Sequence, residues 1–136
     1  MGRNVGTIVR HWPHGKLMHL AIISPDPIQA HVLAGVARRR AWVVTQFSSV
    51  DSCVRSGLSA DAFILDVERV DTAAWRESAQ FATRVGRSRV FLLSEAVDSG
   101  PSTGHEPPAA HVSKPFHPPE LIRLIEASVA RRISAG

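Results

Sequence analysis

Residues 62–67 read AFILDV, an apolar run with a single carboxylate, Asp66, close to its end. A short apolar run of this kind is typical of a strand that is buried on both faces of a parallel sheet. Similar runs predict further strands at residues 17–23, 41–47, 89–94 and 110–113. The sequence therefore predicts five strands, with Asp66 at the carboxyl end of the third.

The segments between these strands have helical spacing. Asp26 followed by Pro27 is typical of an N-cap and the first residue of a helix. From this helix, the side chains predicted to face the sheet are those of Ile28, Val32, Leu33 and Val36. Three more helices are predicted to start near residues 49, 72 and 118. The inward face of the last is predicted to consist of Leu121, Ile122, Leu124, Ile125 and Val129.

Strands that alternate with helices form right-handed crossovers between parallel strands. The predicted fold class is therefore α/β, a five-stranded parallel sheet in a doubly wound three-layer sandwich. Residues 96–110 depart from the pattern, because they contain Gly100, Pro101, Gly104, Pro107 and Pro108. Glycine and proline disfavour a regular helix, so we expect the fourth helix region to be degenerate or replaced by a loop.

The composition is that of one globular domain, with 136 residues of which 44% are apolar. Residues 1–16 show no sustained period and are predicted to be a flexible N-terminal extension of a domain spanning residues 17–133. No run approaches the roughly 20 apolar residues of a membrane helix, and residues 1–16 lack the apolar core of a signal peptide. Because Cys53 is the one cysteine, we expect the reducing cytoplasm as the location.

The formal net charge of +4 suits a polyanion. The basic residues are dispersed, however, apart from two clusters at residues 38–40 and 131–132, which close predicted helices where cations favour the helix dipole. We therefore expect no nucleic-acid partner.

Polar side chains follow four of the predicted strands, namely Asp26, Asp66, Ser94 and Lys114. In open α/β sheets the site lies outside the carboxyl ends of the strands, so we expect these groups to share one edge. There, Asp66 is suited to act as a nucleophile or cation ligand. Lys114 is one of only two lysines, and its ammonium is suited to neutralising a carboxylate or holding a phosphoryl oxygen.

Three segments carry a resemblance to a known family: FILDV at 63–67, FLLS at 91–94 and VSKPF at 112–116. With them, residues 17–132 resemble the receiver domain of bacterial two-component response regulators, a flavodoxin-like fold. The resemblance implies that Asp66 accepts a phosphoryl group from a kinase phosphohistidine. It also implies that Ser94 is the switch hydroxyl and that Lys114 pairs with the phosphoryl group. The implied partners are a histidine kinase or phosphotransfer protein and a downstream protein.

Several positions depart from that family. The acidic pair that usually holds Mg²⁺ falls on Ser24 and Pro25, which leaves Asp26, Asp66 and Glu68 as the candidate ligands of a weakened magnesium site. Glu95 follows the switch hydroxyl where a small residue is usual. His111 stands where the family often has an aromatic side chain.

Two functions remain open from the sequence. One is a single-domain regulator phosphorylated on Asp66, and the other is a pseudo-receiver that binds its partner without phosphorylation. A nucleotide-binding α/β domain is disfavoured because residues 24–27, SPDP, lack the glycines of a phosphate loop. No enzymatic motif is found, so no catalytic activity of its own is expected. A homodimer through residues 1–16 or 96–110 also remains open.

Overall fold

A computed structural model of the chain describes residues 17–67, 72–95 and 110–135. The strands are β1 (His19–Ile23), β2 (Val43–Phe47), β3 (Ala62–Asp66), β4 (Val90–Glu95) and β5 (Ala110–Lys114). The helices are α1 (Pro27–Arg38), α2 (Val50–Ser56), α3 (Thr72–Val85) and α4 (Pro118–Ala135). A short 3₁₀ helix, Arg87–Arg89, precedes β4.

The five strands form one parallel sheet in the order β2-β1-β3-β4-β5. This arrangement confirms the predicted fold class. In the register of the sheet, Ile23 of β1 is opposite Leu65 of β3, and Asp66 is opposite Leu93 of β4. The carboxyl ends of the strands therefore meet at one edge, as the sequence predicted.

Apolar cores lie on both faces of the sheet. Phe91 and Leu93 of β4 pack in the core formed with α1 and α4, whereas Val90 and Leu92 pack in the core on the side of α2 and α3. Every residue of β3 is buried. The continuous apolar runs of the sequence thus arise because helices cover both faces of the central strands.

The predicted inward face of α1 is wrong in part. Ile28 and Val32 are 76% and 47% exposed, and the side chains buried from this helix are instead Ala30, Leu33, Ala34 and Ala37. These four also have the spacing of one helical face, and their small side chains permit close packing of the helix. In α4, Leu124 is likewise exposed rather than buried, while the other four predicted positions are buried.

The helix ends follow the local sequence signals. Ser49 caps α2 by accepting a hydrogen bond from the Ser52 amide, and Gly57 ends that helix in the left-handed conformation, at φ 68°. The two basic clusters near helix ends also make tertiary contacts. In the cluster at residues 38–40, Arg40 forms an ion pair with Glu126 of α4. In the cluster at residues 131–132, Arg132 donates a hydrogen bond to the carbonyl of Asp61.

Some predictions fall outside the described residues. They are the extension at 1–16, residue Glu68 and the stretch 96–109 that was expected to replace a helix. Helix α4 runs to Ala135, beyond the domain end predicted at residue 133. Among the helices that are described, none combines the length and the hydrophobicity that crossing a bilayer requires.

Candidate functional site

Three strand ends bring the candidate site together. β1 ends just before Ser24, β3 ends at Asp66 and β5 ends at Lys114. Asp66 is a buried residue and its side chain is only 1% exposed, while that of Lys114 is 19% exposed. Because β3 lies between β1 and β4 in the sheet, Asp66 is at the centre of this edge.

Each oxygen of the Asp66 carboxylate has a partner. The Ser24 hydroxyl donates to Oδ2 at 2.7 Å, and the Gln29 side-chain amide donates to the same oxygen at 2.5 Å. The Lys114 ammonium forms an ion pair with Oδ1. That ion pair is the one interaction of Oδ1, which has no directed hydrogen bond within the described part of the chain. A buried carboxylate is costly unless it is paired in this way.

Sequence reasoning missed Gln29. It is the third residue of α1, and a glutamine at this position often reaches back to cap its own helix. Here Gln29 instead reaches Asp66, because α1 begins directly after β1 and places its first turn over the strand ends. The sequence signal for this contact is weak: it shows that α1 starts close to the end of β1, but not towards which group Gln29 is oriented.

Asp26 is engaged in capping. Its Oδ1 accepts hydrogen bonds from the Ile28 and Gln29 amides at 3.0 and 3.2 Å, which makes it the N-cap of α1. The Ser24 hydroxyl is held by the backbone of the same residue, since it accepts from the Asp26 amide at 3.1 Å. Asp26 therefore acts on the helix rather than on the Asp66 carboxylate in this structure.

The described residues at this edge offer few side-chain ligands for magnesium. Mg²⁺ requires a near-octahedral set of oxygen ligands, usually including one or two carboxylates and several waters. Ser24 donates its proton towards Asp66, Pro25 has no side-chain ligand atom, and Asp26 caps α1 through Oδ1. In residues 17–67, 72–95 and 110–135, no three His, Cys, Asp or Glu side chains are grouped to hold a metal. Glu68 lies outside those ranges.

Ser94 has a different environment. It is fully buried in β4, and its hydroxyl is hydrogen-bonded to Nε2 of His111 on the neighbouring strand β5. Strand alternation places Ser94 on the same side of the sheet as Leu92, whereas Asp66 shares a side with Ile64. The structure thus brings Asp66 and Lys114 into contact and holds Ser94 beside His111.

An apolar cavity adjoins the Asp66 network. It has a volume of about 320 Å³ and lies between α1 and the segment that joins β5 to α4. Its apolar wall includes Ile28, Val32 and Phe116, and Lys114 and Gln29 lie at its polar end. The exposed stripe of α1 therefore lines the same cavity as Lys114 and Gln29, the two side chains that contact Asp66.

The strand order and the carboxylate–lysine pair at one strand edge define a receiver-like α/β domain. No protein-family model matches this sequence, and no curated protein matches it significantly. Solved structures do match. The BeF3-activated receiver domain of DrrB aligns with 85% of this chain and 100% of its own, at a TM-score of 0.68 and 17% identity.

Two other receiver structures give the same result. A putative response regulator from Chloroflexus aurantiacus J-10-fl aligns with 85% of this chain and 100% of its own, at a TM-score of 0.66 and 21% identity. The receiver domain of sensor histidine kinase PA1611 from Pseudomonas aeruginosa PAO1 aligns with 85% of this chain and 99% of its own. Its TM-score is 0.63, its identity is 21%, and it has magnesium in its active-site cleft. The fold is therefore that of response-regulator receiver domains.

Proposed function

We propose that this chain is a receiver-like interaction module that acts through protein contacts, with Asp66 serving as a fixed structural carboxylate. The observation that carries the proposal is that Asp66, whose side chain is 1% exposed, has two hydrogen-bond donors on Oδ2 and the Lys114 ammonium beside Oδ1.

The chemistry of phosphorylation supports this interpretation. A carboxylate that accepts a phosphoryl group must present an oxygen lone pair in line with the leaving group. At Oδ2, the Ser24 and Gln29 donors occupy the lone pairs. Hydrogen bonds to a charged group contribute about 1.5–3 kcal/mol each, so exposing this oxygen is costly. With few magnesium ligands among the described residues, the charge on the transferring oxygens would be offset mainly by Lys114, whose ammonium is already paired with Asp66 Oδ1.

The exposed stripe of α1 supplies the contact surface. Ile28 and Val32 are apolar and exposed beside the site. Helix α1 contains no acidic residue, while His31 and Arg38 are exposed on it. An apolar stripe with basic neighbours suits a protein partner with an apolar and acidic face. We infer that this partner contacts α1.

Intact-protein mass spectrometry tests the role of Asp66. The wild type and Asp66→Asn are incubated with acetyl phosphate and Mg²⁺, with a known receiver domain labelled in parallel. We expect the known receiver to gain one phosphoryl group and the wild type to gain none. A phosphoryl adduct on the wild type that is absent from Asp66→Asn would overturn the proposal.

Site-specific photo-cross-linking tests the contact surface. A photo-reactive amino acid at position 28 is compared with one at position 46, an exposed residue of β2. We expect the probe at position 28 to cross-link to a different protein. Val32→Asp should abolish this cross-link, and Asp66→Asn should retain it. Adducts to a second copy of this chain alone, or equal adducts at both positions, would contradict the inferred partner.

A second candidate function is phosphorylation of Asp66. The contact between Asp66 and Lys114 favours it, because an ammonium at this position suits a phosphoryl oxygen. In that reaction the phosphorus–nitrogen bond of a kinase phosphohistidine breaks, and a bond from phosphorus to an Asp66 oxygen forms. Lys114 would then pair with the phosphoryl group and Ser94 would act as its switch hydroxyl. The acetyl phosphate experiment decides between the two functions.

A further inference from the structure

A second cavity lies at the opposite end of the sheet from Asp66. Its volume is about 400 Å³, and it opens between the carboxyl ends of α2 and α3, beside the loop that leads from α2 into β3. Phe63, which lines it, precedes Asp66 by three positions in β3, or about 10 Å at the rise of a strand. The cavity is therefore separate from the Asp66 network.

Buried apolar side chains form the inner wall of this cavity. Phe63 and Phe81 pack edge to face, with ring centroids 5.4 Å apart at an angle of 86°. Cys53 completes the wall and is 3% exposed. Burial raises the pKa of the Cys53 thiol, so the side chain is uncharged at neutral pH and acts as a small apolar group. This wall suits an apolar ring or chain.

The rim of the cavity is basic. Arg84 is exposed at the end of α3, and Arg89 is half-buried, with Nη1 donating to the carbonyl of Ala60 at 2.9 Å. None of the lining side chains is acidic. No carboxylate in the described residues forms an ion pair with either guanidinium. Within the described residues, neither guanidinium at this rim is therefore neutralised by a direct ion pair.

A third guanidinium, that of Arg132, lies near the same rim. Arg132 lies close to this end of the sheet, where it donates to the carbonyls of Asp61 and Ser88. The pKa of Arg132 is lowered by burial and by the positive charge of Arg89, with the carboxylate of Asp61 acting in the opposite direction. An anion at the rim would relieve this repulsion.

We propose that the cavity binds a small organic anion with an apolar body, of the medium-chain carboxylate class. The apolar part lies against Val54, Leu58 and Val85, which are half-buried and line the cavity with the two phenylalanine rings, and the carboxylate is held at the rim by Arg84 and Arg89. The volume falls within the range of about 300–1,000 Å³ that is typical of small-molecule pockets. A guanidinium is the side chain best suited to a planar carboxylate.

Amide chemical shifts of the ¹⁵N-labelled chain provide the test, with octanoate as the probe and 1-octanol as its neutral match. Octanoate should cause saturable shifts at Cys53, Phe63 and Phe81, with Asp66 and Lys114 unmoved. Octanol should bind at least about threefold more weakly, because it lacks the charge that the rim recognises.

Two surface variants locate the charge that is recognised. Arg84→Gln should weaken octanoate about two- to fivefold, whereas Arg76→Gln, an exposed position on the same helix that does not line the cavity, should leave the affinity unchanged. Equal affinity for octanoate and octanol, or equal effects of the two variants, would overturn the proposal. So would the absence of saturable shifts at the cavity up to millimolar octanoate.

Discussion

The two ends of β3 differ in how their charged groups are paired. At the carboxyl end, Asp66 is buried and shares its carboxylate with a hydroxyl, an amide and an ammonium. At the amino end, Arg84 and Arg89 edge a cavity and have no carboxylate partner among the described residues. A buried charge without a partner is far more costly than an exposed one, so the buried Asp66 carboxylate requires its partners whereas the exposed Arg84 guanidinium does not.

The charged groups at the two ends of β3 therefore have different roles, one in the stability of the fold and the other in ligand recognition. Charges that are satisfied inside the chain contribute to the folded state, whereas exposed charges that remain unpaired are available to a ligand. We therefore expect substitutions at the carboxyl end of β3 to lower the free energy of unfolding strongly. The loss should increase with the number of hydrogen-bond and ion-pair partners that the substitution leaves unpaired. At the amino end we expect weak effects on stability.

The largest effect is expected for Asp66→Ala. This change leaves Lys114 without its counter-ion and removes the acceptor of Ser24 and Gln29, so the free energy of unfolding should fall by about 3 kcal/mol. Urea unfolding followed by circular dichroism measures the loss. Asp66→Asn keeps one acceptor oxygen and should lose less. A loss below about 1 kcal/mol for Asp66→Ala, close to that of a surface substitution, would contradict the structural role.

A smaller effect is expected for Gln29→Ala. It removes one hydrogen bond to a charged group, which contributes about 1.5–3 kcal/mol, and is partly offset by the better helix propensity of alanine. The net loss should be about 1–2 kcal/mol in the same urea experiment. Gln80→Ala on α3 is the matched control, because that glutamine is exposed; it should change stability by less than about 0.5 kcal/mol. Equal losses for the two variants would show that Gln29 does not support Asp66.

Asp66 and Gln29 also show what the sequence can and cannot predict. The contact between Asp66 and Lys114 follows from the sequence, because parallel strands bring their carboxyl ends to one edge. Gln29 does not follow, since a polar residue in the first turn of a helix is ordinarily a capping or solvated group. Its orientation towards Asp66 depends on how α1 is seated on the sheet, and that is a tertiary property.

Helix α1 illustrates the same limit. Its sequence contains two overlapping apolar stripes that share Leu33: the predicted stripe with Ile28 and Val32, and the buried stripe with Ala30 and Ala34. Hydrophobicity alone favours burial of the larger side chains, and it therefore predicts that Ile28 and Val32 face the sheet. The structure buries the alanines because a helix that packs closely needs small side chains at the contact. The choice between the stripes is thus made by packing distance, which periodicity does not encode.

The Ser94–His111 pair tests whether all polar groups at the carboxyl ends of the strands contribute equally to stability. Ser94 is buried, but His111 is exposed and can exchange its protein partner for water. A neutral hydrogen bond contributes about 1 kcal/mol. A double-mutant cycle with Ser94→Ala and His111→Ala should therefore give a coupling energy of about 0.5–1 kcal/mol, below the effect of Gln29→Ala. A coupling energy as large as the stability loss in Asp66→Ala would contradict this, because the Ser94–His111 hydrogen bond would then contribute as much as the whole Asp66 network.

The smallest effect belongs to the amino end and is seen only in alkali. Burial raises the pKa of Cys53 above its ordinary value of 9.0, so the unfolded thiol ionises before the folded one. The resulting stabilisation is complete below pH 9.0 and is lost as the pH rises through the raised value of the folded state. Few other groups titrate in this range, because the chain has no tyrosine. Urea unfolding between pH 8 and 10 should show a steeper decline for the wild type than for Cys53→Ala, by at most about 1.4 kcal/mol per pH unit. Parallel declines would mean that the thiol ionises as readily in the folded chain, and the wall of the cavity would then be open to water.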